Sequence, residues 1–338
     1  MTLRRYSPVS RWLALAILPM GLGACDGCTS QARTDSPLGP KGFSPAPPSA
    51  AQQKAAPSPR PAAGPSEARE LVWDYAESPE GPMRVVVSMP AHEPGEPKFP
   101  VLVALHGRGE ALKGPKRGAR GWIDDYAMPR ALQRLESPPL TRKDLQGFAS
   151  EKRLAQLNGA LAEHPYRGLV VVMPYTPESL AGDKPFSSVL GYGRFLVEQV
   201  LPRVARETPS IGTPQTTGID GVSLGGRVGL LVGLQLPEAF GAVAGLQAAF
   251  DSADASEVTG LAERARARNP GLRLRLLTSD DDYFLRANRA ISKALGSAGL
   301  RHHLVVVPGP HDYSFNRGPG VYEMLIYHDR VLRGLPPV

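Results

Sequence analysis

Runs such as Val101-Leu102-Val103-Ala104-Leu105 and Leu169-Val170-Val171-Val172-Met173 are apolar at every position, and this constrains the chain more than any other feature. A strand with one face in water alternates apolar and polar residues, whereas a strand apolar throughout needs cover on both faces. Strand-like runs fall at 83–89, 100–105, 169–173, 217–222, 242–246, 272–277 and 302–307. Between them lie segments with helical apolar spacing, at 127–135, 151–162, 189–207, 224–236, 255–267, 283–298 and 320–333. Strand and helix alternating over about 270 residues predict an α/β domain with a mostly parallel central sheet and helices on both faces. No internal repeat interrupts that pattern.

The alternation starts near Glu70, so the folded domain is predicted over 70–338. Residues 1–24 carry Arg4, Arg5 and Arg11, then the apolar run Trp12–Leu18 broken by Pro19. That run is far short of the ~20 residues needed to cross hydrocarbon and reads as a secretory signal. Leu22-Gly23-Ala24-Cys25 resembles a bacterial lipobox, which predicts lipidation at Cys25 and an exported protein held by acyl chains at a bacterial membrane, periplasmic or cell-surface. Residues 25–69 follow as a spacer. Within 29–68 there are nine Pro, nine Ala and one aromatic, too little apolar surface to offset the entropy of ordering.

The net charge of +7 falls to +4 once the three signal arginines are removed, and no basic run with interleaved aromatics remains, which argues against a nucleic-acid partner. Two cysteines, Cys25 and Cys28, cannot complete a four-ligand zinc site. No metal or organic cofactor is expected.

Gly221-Val222-Ser223-Leu224-Gly225 is a G-x-S-x-G motif placed between the strand-like TTGID and the helical stretch LGGRVGLLVGLQL. A serine in so sharp a strand-to-helix turn needs glycine on both sides, because side chains there would meet each other or the strand. The turn also sets Ser223 at the positive end of a helix. A serine at its free pKa needs a base, and the base needs an orienting acid. Of the seven histidines, His311 stands alone in a loop after the last predicted strand. His302 and His303 open that strand, and His328 lies inside the terminal helix. The acid falls in Thr278-Ser279-Asp280-Asp281-Asp282, after the strand LRLRLL, with Asp251 more remote. Near the strand VLVAL, His106-Gly107-Arg108-Gly109-Glu110 offers backbone N–H groups to an oxyanion. The expected donors are Leu224 and Arg108, with Gly109 the alternative to Arg108, and His106 is expected to be structural. Trp122 and Tyr126 are expected to line a substrate pocket. The basic residues Lys113, Lys116, Arg117 and Arg120 would suit an anionic substrate if they face it, but such a charge run more often forms a solvated loop.

LVALHGRGE, GWIDDYAMPRAL, TTGIDGVSLGGR with PEAFGAV behind it, TSDDDYFLRANRAI and PGPHDYSF together resemble the esterase D-like and feruloyl-esterase-like branch of the α/β-hydrolases, which includes the mycolyltransferases. The resemblance implies the α/β-hydrolase fold and a triad in the order Ser223…Asp282…His311. Such enzymes often read G-x-x-D-P-F at the acid, and aligning Ser279–Phe284 with that string favours Asp282 over Asp280; Ser279 and Tyr283 depart from it. The implied activity is hydrolysis of a small-molecule or polymer-attached carboxylic ester through an acyl-enzyme. The alternatives are an acyltransferase or peptidase on the same fold, or an inactive hydrolase fold serving as a surface-binding lipoprotein.

Overall fold

The computed structural model describes residues 69–182 and 184–338. The expected signal, Cys25 and the expected spacer up to residue 68 lie outside the described residues.

Eight strands form one sheet: β1 (Arg69–Tyr75), β2 (Met83–Met89), β3 (Val101–Leu105), β4 (Val170–Pro174), β5 (Thr217–Gly221), β6 (Ala242–Leu246), β7 (Arg273–Asp281) and β8 (His303–Pro310). Their order is β1-β2-β4-β3-β5-β6-β7-β8. β1 and β2 pair antiparallel, as do β2 and β4; every other pairing is parallel. Seven strands coincide with the apolar runs. β1 is the addition: only Trp73 of its seven residues is buried, so the strand lacks the apolar signature of a doubly covered one.

Alternate residues of each strand supply two separate cores. Val101, Val103 and Leu105 join Val85, Val87, Val170, Val172 and Ile219 on one face. Helices Leu224–Gln235, Ala255–Arg268 and Leu285–Ser297 cover that face through residues such as Val228, Val258 and Ile291. Leu102 and Ala104 point the other way, with Val86, Val171 and Ala244, under helices Met128–Leu135, Glu151–Glu163 and Val321–Leu332. The expected 189–207 helix is Leu190–Phe195 and Leu201–Glu207 joined by a π turn. No described helix is long and apolar enough to cross a membrane.

Parallel pairing from β3 through β8 puts the carboxyl ends of these strands on one edge of the sheet. The loops that follow β3, β5, β7 and β8 therefore start side by side, which is where open α/β sheets build sites.

Candidate active site

Ser223 follows β5 with φ 57° and ψ −113°, a left-handed geometry that is costly for a non-glycine residue. Tertiary bonds hold it there: its N–H donates to the Leu246 carbonyl (2.9 Å), and its carbonyl accepts from Ala249 N–H (3.1 Å). The flanking glycines are required by clearance. A Cβ at Gly221 would sit 2.5 Å from the Gly225 carbonyl oxygen, and one at Gly225 would sit 2.6 Å from the His106 carbonyl oxygen. The serine is partly exposed. Gly225 N–H turns back to Val222 (2.8 Å), while Leu224 N–H has no acceptor among the described residues.

The loop after β3 lies against this elbow, since Val222 N–H donates to the Leu105 carbonyl (3.1 Å). His106 is fully enclosed. Its Nε2 accepts from Thr176 N–H (2.9 Å) and its Nδ1 donates to the Gly107 carbonyl (2.9 Å), which fixes a neutral tautomer. Burial lowers its pKa to about 4, so it buttresses the loop and is not a proton carrier near neutral pH. Arg108 opens a short helix, Arg108–Ala111, in which the N–H groups of Arg108 and Gly109 have no acceptor among the described residues. The Arg108 guanidinium reaches away to Glu178 (2.5 Å).

One expectation needs correction here. Trp122 is 0% and Tyr126 2% exposed, so neither offers a surface to a substrate. They pack edge to face at 4.9 Å within the core beneath the loop. Tyr126 instead works on the loop from below: its oxygen accepts Gly107 N–H (3.1 Å), and its hydroxyl donates to Glu110. Glu110 is 1% exposed and also accepts from the Tyr313 hydroxyl (2.7 Å). Through this carboxylate the β3 loop is tied to the segment after His311. The basic residues behave as a solvated, salt-bridged loop. Lys113 is bound to Asp125 (2.7 Å), and Arg120 to Glu70 (2.9 Å) and Asp124 (3.0 Å), so these two are not free cations facing the serine. Lys116 and Arg117 are exposed.

Asp282 and His311 meet at the ends of β7 and β8. His311 Nδ1 lies 2.7 Å from Asp282 Oδ1, with the His311 side chain 17% exposed and the Asp282 side chain 0%. The same Asp282 oxygen accepts Phe284 N–H (3.0 Å), and the other accepts the Thr278 hydroxyl (2.5 Å). Asp280 is turned elsewhere, accepting Gly309 N–H (3.0 Å) in the turn before His311. A register shift separates the two acids: Ser279 pairs with Val307, but Asp281 pairs with Pro310, so β8 carries an extra residue. Gly309 takes up the irregularity at φ 136°, and a Cβ there would lie 2.7 Å from the Phe315 ring. Phe284 meets the His311 ring edge on at 5.4 Å, and the exposed Tyr283 ring lies 5.5 Å away. No hydrogen bond joins the Ser223 hydroxyl to His311; the serine reaches the imidazole only through a shift of one side chain or the other.

Gln247 carried no sequence signal, yet it braces this edge. It is fully buried at φ 46°, and its side-chain amide donates to Ser279 Oγ (2.6 Å) and to the Pro310 carbonyl (2.9 Å). One residue after Leu246, which holds Ser223, it connects the serine's strand neighbour to the backbone just before His311. Among the described residues no group of three or more His, Cys, Asp and Glu side chains is placed to hold a metal ion.

No family model matches the chain, and no curated protein sequence matches it either. Solved structures do. An S-formylglutathione hydrolase from Staphylococcus aureus is 14% identical with TM-score 0.56, over 78% of this chain and 100% of that one. A ferulic acid esterase is 18% identical with TM-score 0.58, over 79% and 99%. The feruloyl esterase module from Clostridium thermocellum is 15% identical with TM-score 0.53, over 78% and 89%. Likeness at these identities is a likeness of fold. With its eight-stranded, mostly parallel sheet covered by helices on both faces, the described chain has the α/β-hydrolase fold that these esterases share.

Proposed function

We propose that the protein is a serine hydrolase that cleaves a carboxylic ester through an acyl-enzyme. The observation that carries this reading is an accessible serine held at a left-handed elbow, on the same sheet edge as a hydrogen-bonded His311–Asp282 pair. His311 Nε2 takes the Ser223 proton as Oγ bonds to the ester carbonyl carbon. Asp282 holds Nδ1–H and stabilises the imidazolium. The unengaged N–H groups of Leu224 and Arg108 receive the oxyanion, each worth about 3 kcal/mol in comparable sites. The alcohol leaves with the proton from His311, and the acyl group stays on Ser223. Water then gives a proton to His311 and its hydroxyl to the acyl carbon, and Ser223 recovers its proton as the acid departs.

A fluorophosphonate probe tests the nucleophile directly: the wild-type chain is expected to be labelled and Ser223→Ala is not. Equal labelling of both would remove Ser223 from its role. A panel of p-nitrophenyl and feruloyl esters of increasing size then reports the acyl preference, and the esterase fold neighbours make such small esters the natural first substrates.

The amino-terminal residues support export and lipid attachment. Basic Arg4 and Arg5, a short apolar run and Leu22-Gly23-Ala24-Cys25 suit acylation of Cys25, with the following residues as a tether. In a bacterial host, Cys25→Ala is expected to abolish fatty-acid labelling and to move the protein from the membrane fraction to the soluble one.

A further inference from the structure

The opposite edge of the sheet holds a second feature that ester hydrolysis does not use. Where β7 and β8 begin, a cleft of about 500 Å³ is lined by Arg266, Arg273, Arg301 and His303, and no carboxylate lines it. Among the described residues none of these four side chains makes an ion pair. Arg266 donates to the Pro270 (2.8 Å) and Arg301 (3.0 Å) carbonyls, and Arg273 donates to the Leu335 carbonyl (3.0 Å). The Arg301 side chain has no partner among the described residues and is exposed. Two residues along β7 the contrast is plain, since Arg275 is paired with Glu323 at 2.6 Å. Tyr327 also lines the cleft. It is 3% exposed, and its hydroxyl is buried with no hydrogen-bond partner among the described residues.

Guanidinium groups gathered in a concave site without a counter-charge repel one another, and burial together with the Arg301 charge depresses the Arg266 pKa. Planar donor forks with spare N–H groups suit the tetrahedral oxygens of a phosphate, which would balance the charge and offer acceptors to the arginines. We propose that this cleft binds a phosphate group, either as the free anion or carried on a phospholipid headgroup. β7 has nine residues, which at ~3.3 Å each separates the cleft from Asp282 by roughly 25–30 Å, so an occupied cleft leaves the Ser223 edge unobstructed.

Arg301→Glu in the full chain is the test variant, because no hydrogen bond of the fold depends on its side chain. Lys152→Glu, an exposed change of equal charge outside the cleft, is the control. Binding of inorganic phosphate is measured by calorimetry at constant ionic strength, and binding to phosphatidylglycerol and phosphatidylcholine vesicles by sedimentation. Saturable phosphate binding that weakens about tenfold or more in Arg301→Glu and not in Lys152→Glu is the expected result. A parallel loss of phosphatidylglycerol binding in Arg301→Glu, or such a loss alone, assigns the phosphate to a headgroup; unchanged vesicle behaviour assigns it to the free anion. Ester hydrolysis is expected to stay within about twofold. Neither phosphate nor vesicle binding that depends on Arg301, or equal loss in Lys152→Glu, overturns the proposal.

Discussion

Two hydrogen-bonded His–carboxylate pairs occur among the described residues, and they have similar geometry but different surroundings. His311 and Asp282 lie 2.7 Å apart at the sheet edge; His328 and Asp220 lie 3.1 Å apart in the core. The edge histidine keeps a solvent-facing side, and its carboxylate accepts from two further donors. The core histidine is 0% exposed, its Nδ1 has no partner among the described residues, and burial lowers its pKa. Asp220 lies three residues before Ser223 and accepts Gly221 N–H (2.7 Å), so the core pair anchors the strand that ends in the elbow. An imidazole beside a carboxylate becomes a proton carrier only where something can deliver and remove the proton. The same two groups, sealed in, brace the structure.

The comparison breaks most sharply under paired substitutions. His311→Ala is expected to lower kcat/KM by about 10³–10⁴-fold with little change in urea midpoint. His328→Ala does the reverse: stripping the partner from buried Asp220 costs about 3–5 kcal/mol of stability, read from urea unfolding, while kcat/KM per folded molecule stays within about threefold. If both variants lose activity equally at full stability, the division of roles is wrong.

A pH series sharpens the contrast. Burial holds His106 near a pKa of about 4 in the fold, against an ordinary value near 6.5. Protons therefore bind the unfolded chain more readily. Stability from this group is complete above about pH 6.5 and is lost as the pH falls towards 4, by about 3 kcal/mol in all. His106→Gln should flatten that part of the curve. Smaller effects come from the braces. Gln247→Met removes both amide bonds to the β7 and β8 ends and is expected to lower kcat about tenfold with KM little changed. Tyr313→Phe, which leaves Glu110 one donor short, is expected to lower kcat about threefold.

Local pattern carried the strands and the elbow because each is a short-range property: an unbroken apolar run, or glycines two residues either side of a serine. His311 was legible from its place after the last strand. The contacts that organise the site were not, since they are distant in sequence. Tyr313 and Glu110 are 203 residues apart, and His328 and Asp220 are 108 apart. Trp122 and Tyr126 show the opposite error. Aromatic residues after a loop look alike whether they face a substrate or support the loop from below, and only burial distinguishes the two. β1 alternates instead, with Leu71, Trp73 and Tyr75 turned to the core and Glu70, Val72 and Asp74 exposed, so it lacks the unbroken apolar run that marks a doubly covered strand.

The register shift between β7 and β8 makes the number of residues in the turn as important as their identity. Three consecutive aspartates could each serve chemically, and it is the odd residue near Gly309 that turns the imidazole toward the third of them. Because side chains alternate along a strand, the in-frame loss of one codon from 308–310 would rotate the ring to the wrong side while every acid remained present. For this turn, a deletion is a more severe lesion than most replacements.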